Sequence, residues 1–233
     1  EAEAYKKAGA PVTFVGHPLA DTVKTSMSFE KAMEYFGGQK DKKRILLMPG
    51  SRKNEVSGLL PVMLDACKLI SEKAECQFYL PKADTISDEF LKSFLSKYPE
   101  LSVTVTEGKQ YDLMQICTAC IASSGTATLE TALMQLPTVL IYKLAPATWF
   151  IAKHVVEVKY AGLPNLLLQK EVTPELLQNQ VTAENIASII VPWITDEQIR
   201  VRNINELQEV RKRLGDAGAV KRTARLILKT AGE

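Results

Sequence analysis

No stretch of this sequence approaches the twenty or so consecutive apolar residues that a bilayer-spanning helix requires, so no transmembrane anchor is expected within it. Charge of one sign is lacking too: 29 Lys and Arg stand against 27 Asp and Glu, leaving +2. So even a balance provides no concentrated basic face for duplex nucleic acid, which drops out as a partner. Cysteine is scarce, with only Cys67, Cys76, Cys117 and Cys120, which points to reduced thiols and a cytoplasmic setting instead of a disulfide scaffold. Low-complexity tracts and internal repeats are absent, and 12 Gly with 11 Pro in 233 residues exclude a disordered or fibrous chain. There is no initiator Met and no signal peptide ahead of Glu1-Ala2-Glu3-Ala4-Tyr5, so the chain is expected to be a piece of something longer. Two nucleotide signatures are missing as well: no G-x-G-x-x-G follows a predicted strand, and no G-x-x-x-x-G-K-[ST] occurs.

What is present is an alternation. Short apolar segments at Arg44 to Met48, Gln77 to Leu80, Ser102 to Thr106, Ala119 to Ala122 and Thr138 to Tyr142 read as strands. Between them lie helical patterns at about Val56 to Lys73, Ser87 to Lys97, near Asp112, and Thr126 to Gln135. Such alternation predicts an α/β fold, a Rossmann-like doubly wound parallel sheet covered on both faces. Pro11 to Gly16 reads as an entering strand or an extended linker, and a small helix is expected at about Ser28 to Phe36. Beyond Tyr142 come an apolar and aromatic segment, Leu144 to Val158, a loop at Gly162 to Asn165, and helices near Ala183 to Ile194, Asp196 to Leu214 and Ala217 to Lys229. The expected division is a linker over 1–10, the Rossmann-like domain over 11–195 and C-terminal helices over 196–233.

In a doubly wound sheet the ligand sits outside the carboxyl ends of the strands, so the strand-to-helix loops carry the candidates. Pro49-Gly50-Ser51-Arg52-Lys53-Asn54-Glu55 is one. Gly50 permits close approach to the backbone, Ser51 is placed to cap the next helix, and that helix's free N–H groups with Arg52 suit an anion such as a diphosphate. The same residues also describe an ordinary Gly-Ser turn with an exposed arginine. Ser123-Ser124-Gly125-Thr126 is the second such loop, and from Leu113 to Tyr142 the only charged side chain is Glu130. A carboxylate alone in a mostly buried segment needs a partner, which a ribose diol can supply. The alternative is a Glu on the solvated side of its helix. Cys117-Thr118-Ala119-Cys120 matches C-x-x-C only formally, since it enters a strand and no second pair completes a zinc set; buried thiols are expected. His17 either serves a ligand or orders the turn before Pro18, and His154 is read as a surface or interfacial residue.

Phe14-Val15-Gly16-His17-Pro18-Leu19, then Pro49-Gly50-Ser51-Arg52 with Glu55-Val56, then Ser124-Gly125-Thr126-Ala127-Thr128-Leu129-Glu130, then Leu163-Pro164-Asn165-Leu166 with Glu171-Val172 and Pro174-Glu175-Leu176-Leu177 follow in order. In sequence and spacing this resembles the lipid-A-disaccharide synthases over nearly the whole chain. The resemblance implies a GT-B glycosyltransferase of two Rossmann-like domains, of which this chain is similar to the C-terminal one. The N-terminal domain, with the acidic residue usually proposed as base, has no counterpart here. The implied reaction joins a UDP-diacylglucosamine donor to a diacylglucosamine 1-phosphate acceptor with inversion, releasing UDP, without metal or organic cofactor. The implied roles are Ser51 and Arg52 at the diphosphate; Ser124, Gly125 and Thr126 as a helix-end cradle; Glu130 at the ribose; and Asn165 lining the same cleft, with Gly50, Glu55 and His17 also counted among the substrate-binding residues. Gln169-Lys170 stands where the resemblance leads one to expect Gly-Arg. Lipid substrates give Trp149, Phe150, Ile151, Val155 and Val156 a reading as a face for the inner membrane, against packing on the sheet or the absent domain. A second copy of the chain is an admissible partner. Two other readings stay open: another UDP-sugar enzyme of the same fold, such as an epimerase, and a non-catalytic UDP-binding module.

Overall fold

The computed structural model describes residues 2–144 and 159–232. Six strands form its centre: β1 (Lys43–Met48), β2 (Cys76–Pro81), β3 (Val103–Thr106), β4 (Ala119–Ser123), β5 (Thr138–Tyr142) and β6 (Glu175–Leu177). All pair in parallel, in the order β3-β2-β1-β4-β5-β6. Because a strand's side chains alternate between faces, one apolar run supplies two cores at once. Ile45, Leu47, Phe78, Leu80, Ile121, Val139 and Ile141 face one side. Leu46, Tyr79, Cys120 and Ala122 face the other.

On the first side lie α4 (Lys53–Ser71), α5 (Asp88–Leu95) and α9 (Ala183–Thr195). Leu60, Met63 and Leu64 of α4 meet Ile186, Ile190 and Trp193 of α9 over the strands. On the second side, α3 (Phe29–Tyr35) and α6 (Gln110–Ile116) bury Ala32, Met33, Leu113 and Met114. There α7 (Thr126–Leu133) packs its Leu129 and Leu133 against Leu207, Val210 and Leu214 of α10 (Glu197–Leu214). Helix starts follow the chemistry of their caps: Ser28, Ser87, Thr182 and Asp196 each accept a backbone N–H of the first turn.

Each strand read from the sequence between Arg44 and Tyr142 is present. Pro11 to Gly16, however, has no strand partner and runs as the extended linker, preceded by α1 (Ala2–Lys7) and followed by α2 (Leu19–Thr22). Neither α1, in the stretch expected as a linker, nor α2 was read from the sequence, and beyond Tyr142 two more elements escaped the pattern. The sixth strand has three half-buried residues and no usable periodicity, and its pairing with β5 places it. The expected loop at Gly162 to Asn165 instead opens α8 (Leu163–Leu168), with Pro164 in its first turn, where a missing N–H costs nothing. The last helix, α11 (Ala219–Ala231), is tied by its start alone. Asp21 accepts the N–H groups of Gly218 and Val220, and Arg222 donates to the carbonyls of Val15, Ala217 and Asp216.

Candidate functional site

The chain winds outward from β1 through β2 to β3, then returns to β4 on β1's other side, so the strand order reverses between β1 and β4. Their carboxyl ends adjoin, Met48 pairing with Ala122, and the loops that follow them flank the crevice where doubly wound sheets bind ligands. Both candidate loops therefore meet at one place. A separate groove of about 600 Å³, lined by residues including Gln135, Gln208 and Arg211, lies by the C-terminal end of α7 and takes in no residue of either loop.

In the first loop Gly50 takes φ +110°, and a side chain there would run into the carboxylate and Cβ of Glu55. That carboxylate organises the loop. Its Oε2 accepts the N–H groups of Ser51 and Arg52 at 3.1 and 3.3 Å, and its Oε1 meets Arg52 Nη1 at 2.7 Å. The helix thus starts with Arg52, not Ser51, at the N-cap, and Glu55 closes the reciprocal arm of a capping box. Two amides that the sequence offered to a diphosphate are taken by the protein itself. Open to an anion are the first-turn N–H groups of α4 and the Arg52 guanidinium, whose side chain is 81% exposed. Its exposed contact with Glu55 is worth little in water, so the guanidinium can turn to a ligand at small cost.

The second loop is more open. Ser124 Oγ donates to the Ala161 carbonyl at 3.4 Å, fixing the loop's start. Gly125 is the N-cap of α7, and none of the described residues lies within 4 Å of where its side chain would be. A ligand can approach the backbone there, facing the N–H groups that begin the helix at Thr126.

Glu130, half-buried one turn into α7, is met among the described residues by neutral donors and no cation. Tyr111 Oη donates to its Oε1 at 2.7 Å and Gln110 Nε2 at 3.4 Å. Burial and this bond to a carboxylate push the Tyr111 phenol above its ordinary range, so it stays a donor at neutral pH. Sequence reasoning singled out Glu130 and missed both partners. The available signal was positional, because Gln110 and Tyr111 open α6, directly after another strand-to-helix loop, the one that follows β3. The neighbouring Asp112 is buried and accepts from Ser26 N, Ser26 Oγ and Met27 N at 2.7, 2.7 and 2.8 Å.

Asn165 is 0% exposed, and its amide is used up inside the protein. Nδ2 donates to the Thr173 carbonyl and to Glu175, and Oδ1 accepts from Val172 and Thr173. The expectation that it lines the cleft gives way to a staple that holds the chain after α8, because an amide with four internal bonds has nothing left for a ligand. Glu175, missed from the sequence, also accepts the N–H groups of Ala161 and Gly162 at 2.7 and 2.9 Å. His17 Nδ1 accepts the Leu19 N–H at 3.2 Å and so orders the turn into α2. Gln169 closes α8 at φ +54°, a conformation that favours glycine, and Lys170 pairs with Glu206. Cys67, Cys76 and Cys120 are buried and Cys117 partly so; all four are free thiols, and burial pushes each of them up, Cys76 to about 11. Of the apolar segment, Trp149, Phe150, Ile151, His154, Val155 and Val156 lie outside the described residues.

Among solved structures, the chain is similar to a UDP-GlcNAc 2-epimerase from Neisseria meningitidis bound to UDP-GlcNAc, with a TM-score of 0.68 at 15% identity over 98% of this chain and 59% of that one. It is also similar to WaaG, a glycosyltransferase involved in lipopolysaccharide biosynthesis, with a TM-score of 0.58 at 12% identity over 91% and 54%. Identities this low establish the fold alone. In sequence it is 43% identical over 225 residues to the lipid-A-disaccharide synthase of Trichlorobacter lovleyi, covering 96% of this chain and 58% of that protein. It is 40% identical to that of Geobacter metallireducens, covering 98% and 60%. The chain thus spans somewhat under two thirds of these relatives. The profile of the lipid-A-disaccharide synthetase family matches residues 1–229, and the chain belongs to that family.

Proposed function

We propose that this chain supplies the donor-nucleotide half of a lipid-A-disaccharide synthase: it holds the UDP of a UDP-2,3-diacylglucosamine donor while the sugar passes, with inversion, to a 2,3-diacylglucosamine 1-phosphate acceptor. The observation that carries this reading is the meeting of two helix starts, α4 after Met48 and α7 after Ser123, on paired strands where the sheet order reverses. As the glycosidic bond to UDP breaks, negative charge grows on the diphosphate. The open N–H groups at Thr126 and Ala127 meet that charge without having to reorganise, and Arg52 does so after a turn away from Glu55 that costs little, the role that elsewhere falls to a cation. Glu55 keeps the Gly50–Arg52 loop in shape, and Glu130 takes the ribose. The base that deprotonates the acceptor belongs to the part of the relatives that this chain does not span, so the chain alone binds UDP without transferring sugar.

The expected result of titrating UDP by calorimetry is binding to the wild-type chain that weakens about 10-fold or more in Arg52→Ala, since hydrogen bonds to charged groups contribute about 1.5–3 kcal/mol. Glu130→Ala weakens it too. Equal affinity in all three proteins would refute the site.

The reading also implies a cytoplasmic protein working at the inner membrane surface, with Trp149 and Phe150 touching lipid. No described helix is long and apolar enough to cross a membrane. Polar substitutions of Trp149 and Phe150 should reduce co-sedimentation with anionic vesicles; unchanged co-sedimentation of a folded variant would remove the membrane contact.

A further inference from the structure

Three consecutive residues at the start of α6 reach out in two directions. Gln110 and Tyr111 donate to one oxygen of Glu130, and Asp112 grips the backbone of Ser26 and Met27. Thr22 of α2 stands beside the same phenol. Tyr111 is therefore held on both flanks, and its hydroxyl points at Oε1 from 2.7 Å. Among the described residues Glu130 Oε2 takes no hydrogen bond. A glutamate has three rotatable bonds and loses substantial rotamer freedom when it binds a ligand, so a donor that pins one oxygen beforehand lowers that cost and leaves the other oxygen free to accept.

We infer that Tyr111 is a positioning residue for recognition of the ribose: by occupying Oε1 of Glu130 it presents Oε2 alone to the sugar hydroxyls, and so sets the preference for a ribonucleotide over its 2′-deoxy form. This rests on the assignment of Glu130 to the ribose, and the experiment separates the two. UDP and 2′-deoxy-UDP are titrated into the wild-type chain and into Tyr111→Phe, Glu130→Ala, Glu130→Asp and the double variant Tyr111→Phe/Glu130→Ala, with thermal unfolding recorded for each.

Because the phenol acts on the ligand only through Glu130, Tyr111→Phe loses less than a direct contact to a charged group and should bind UDP about 3- to 10-fold more weakly, the range of an ordinary net hydrogen bond. Affinity for 2′-deoxy-UDP should change by less, so that discrimination shrinks. In the Glu130→Ala background the phenol has nothing to position, and its removal should add no further loss. Glu130→Asp keeps the charge but is one methylene too short to hold the phenol and reach the sugar together, and is expected to behave like Glu130→Ala. If Glu130→Ala binds UDP as the wild type does, the ribose assignment falls and this inference with it. If Glu130→Ala weakens binding while Tyr111→Phe does not, or loses both nucleotides equally, only the positioning role is overturned. Wild-type affinity in Glu130→Asp overturns it as well, whatever the stability of the Tyr111 variant.

Discussion

A single carboxylate illustrates how far a residue can be read before its surroundings are known. Glu130 stands out in the sequence because thirty residues around it carry no other charge, and that isolation already demands a partner. The partners, Tyr111 and Gln110, come from the first turn of a different helix, α6, and are set by the fold. Asp112 shows the converse: nothing in its sequence neighbourhood marks it, yet it ties α6 to the segment before α3. Burial pushes its carboxyl up, but the Ser26 hydroxyl and the N–H groups of Met27 and Ser26 more than offset this, leaving it below the ordinary value of 3.8. A carboxyl depressed by folding stabilises the protein above its unfolded pKa, and that contribution disappears as pH falls through the lower folded value. Asp112→Asn should therefore be less stable than wild type near neutral pH, and the gap should close as pH drops below about 4. Chemical denaturation of both proteins from pH 7 to 3 checks this; a gap that widens in acid would contradict it.

Elements were legible in proportion to how much of their energy is local. Helices opened by Ser28, Ser87, Thr182 and Asp196 announce themselves, since a cap and the first turn lie within four residues. The sixth strand and α8 did not, because three and six residues have too little periodicity to register and depend on β5, Asn165 and Glu175 for their place. The last helix is the extreme case. Only Ala219 of α11 is buried, while Val220, Leu226, Ile227 and Leu228 stay exposed. Its attachment rests on Asp21 and the Arg222 fork, which together satisfy N–H groups and carbonyls at the helix start. Removing the fork leaves those carbonyls of Val15, Asp216 and Ala217 without their donor. Hydrogen exchange in Arg222→Ala is expected to accelerate across 217–232 while the sheet strands keep their protection. Equal protection in the two proteins would show that α11 is held by other contacts.

For the molecule as a whole, composition and alternation pointed to a doubly wound parallel sheet, and that is the observed architecture. A unit ending near residue 195 was expected, yet α10 inserts Leu207, Val210 and Leu214 into one buried cluster with Val23, Leu129, Leu133 and Val172. Leu207→Ala should consequently cost about 2–5 kcal/mol and lower the midpoint of one cooperative transition. Two separated transitions in calorimetry would instead mark 196–233 as independent. What the sequence alone determined are the properties written in neighbouring residues: five of the six strands, most helices, the family, and the loops at Gly50 and Gly125 as candidates. What only the tertiary structure decided is which of those residues still have hydrogen-bonding capacity to offer. Asn165 spends all of its capacity inside the protein, Glu55 spends its carboxylate on the loop amides beside it, and Glu130 keeps one oxygen without a hydrogen bond among the described residues. Satisfaction of a polar group is a three-dimensional count over partners distant in the chain, and no local pattern of residues contains it.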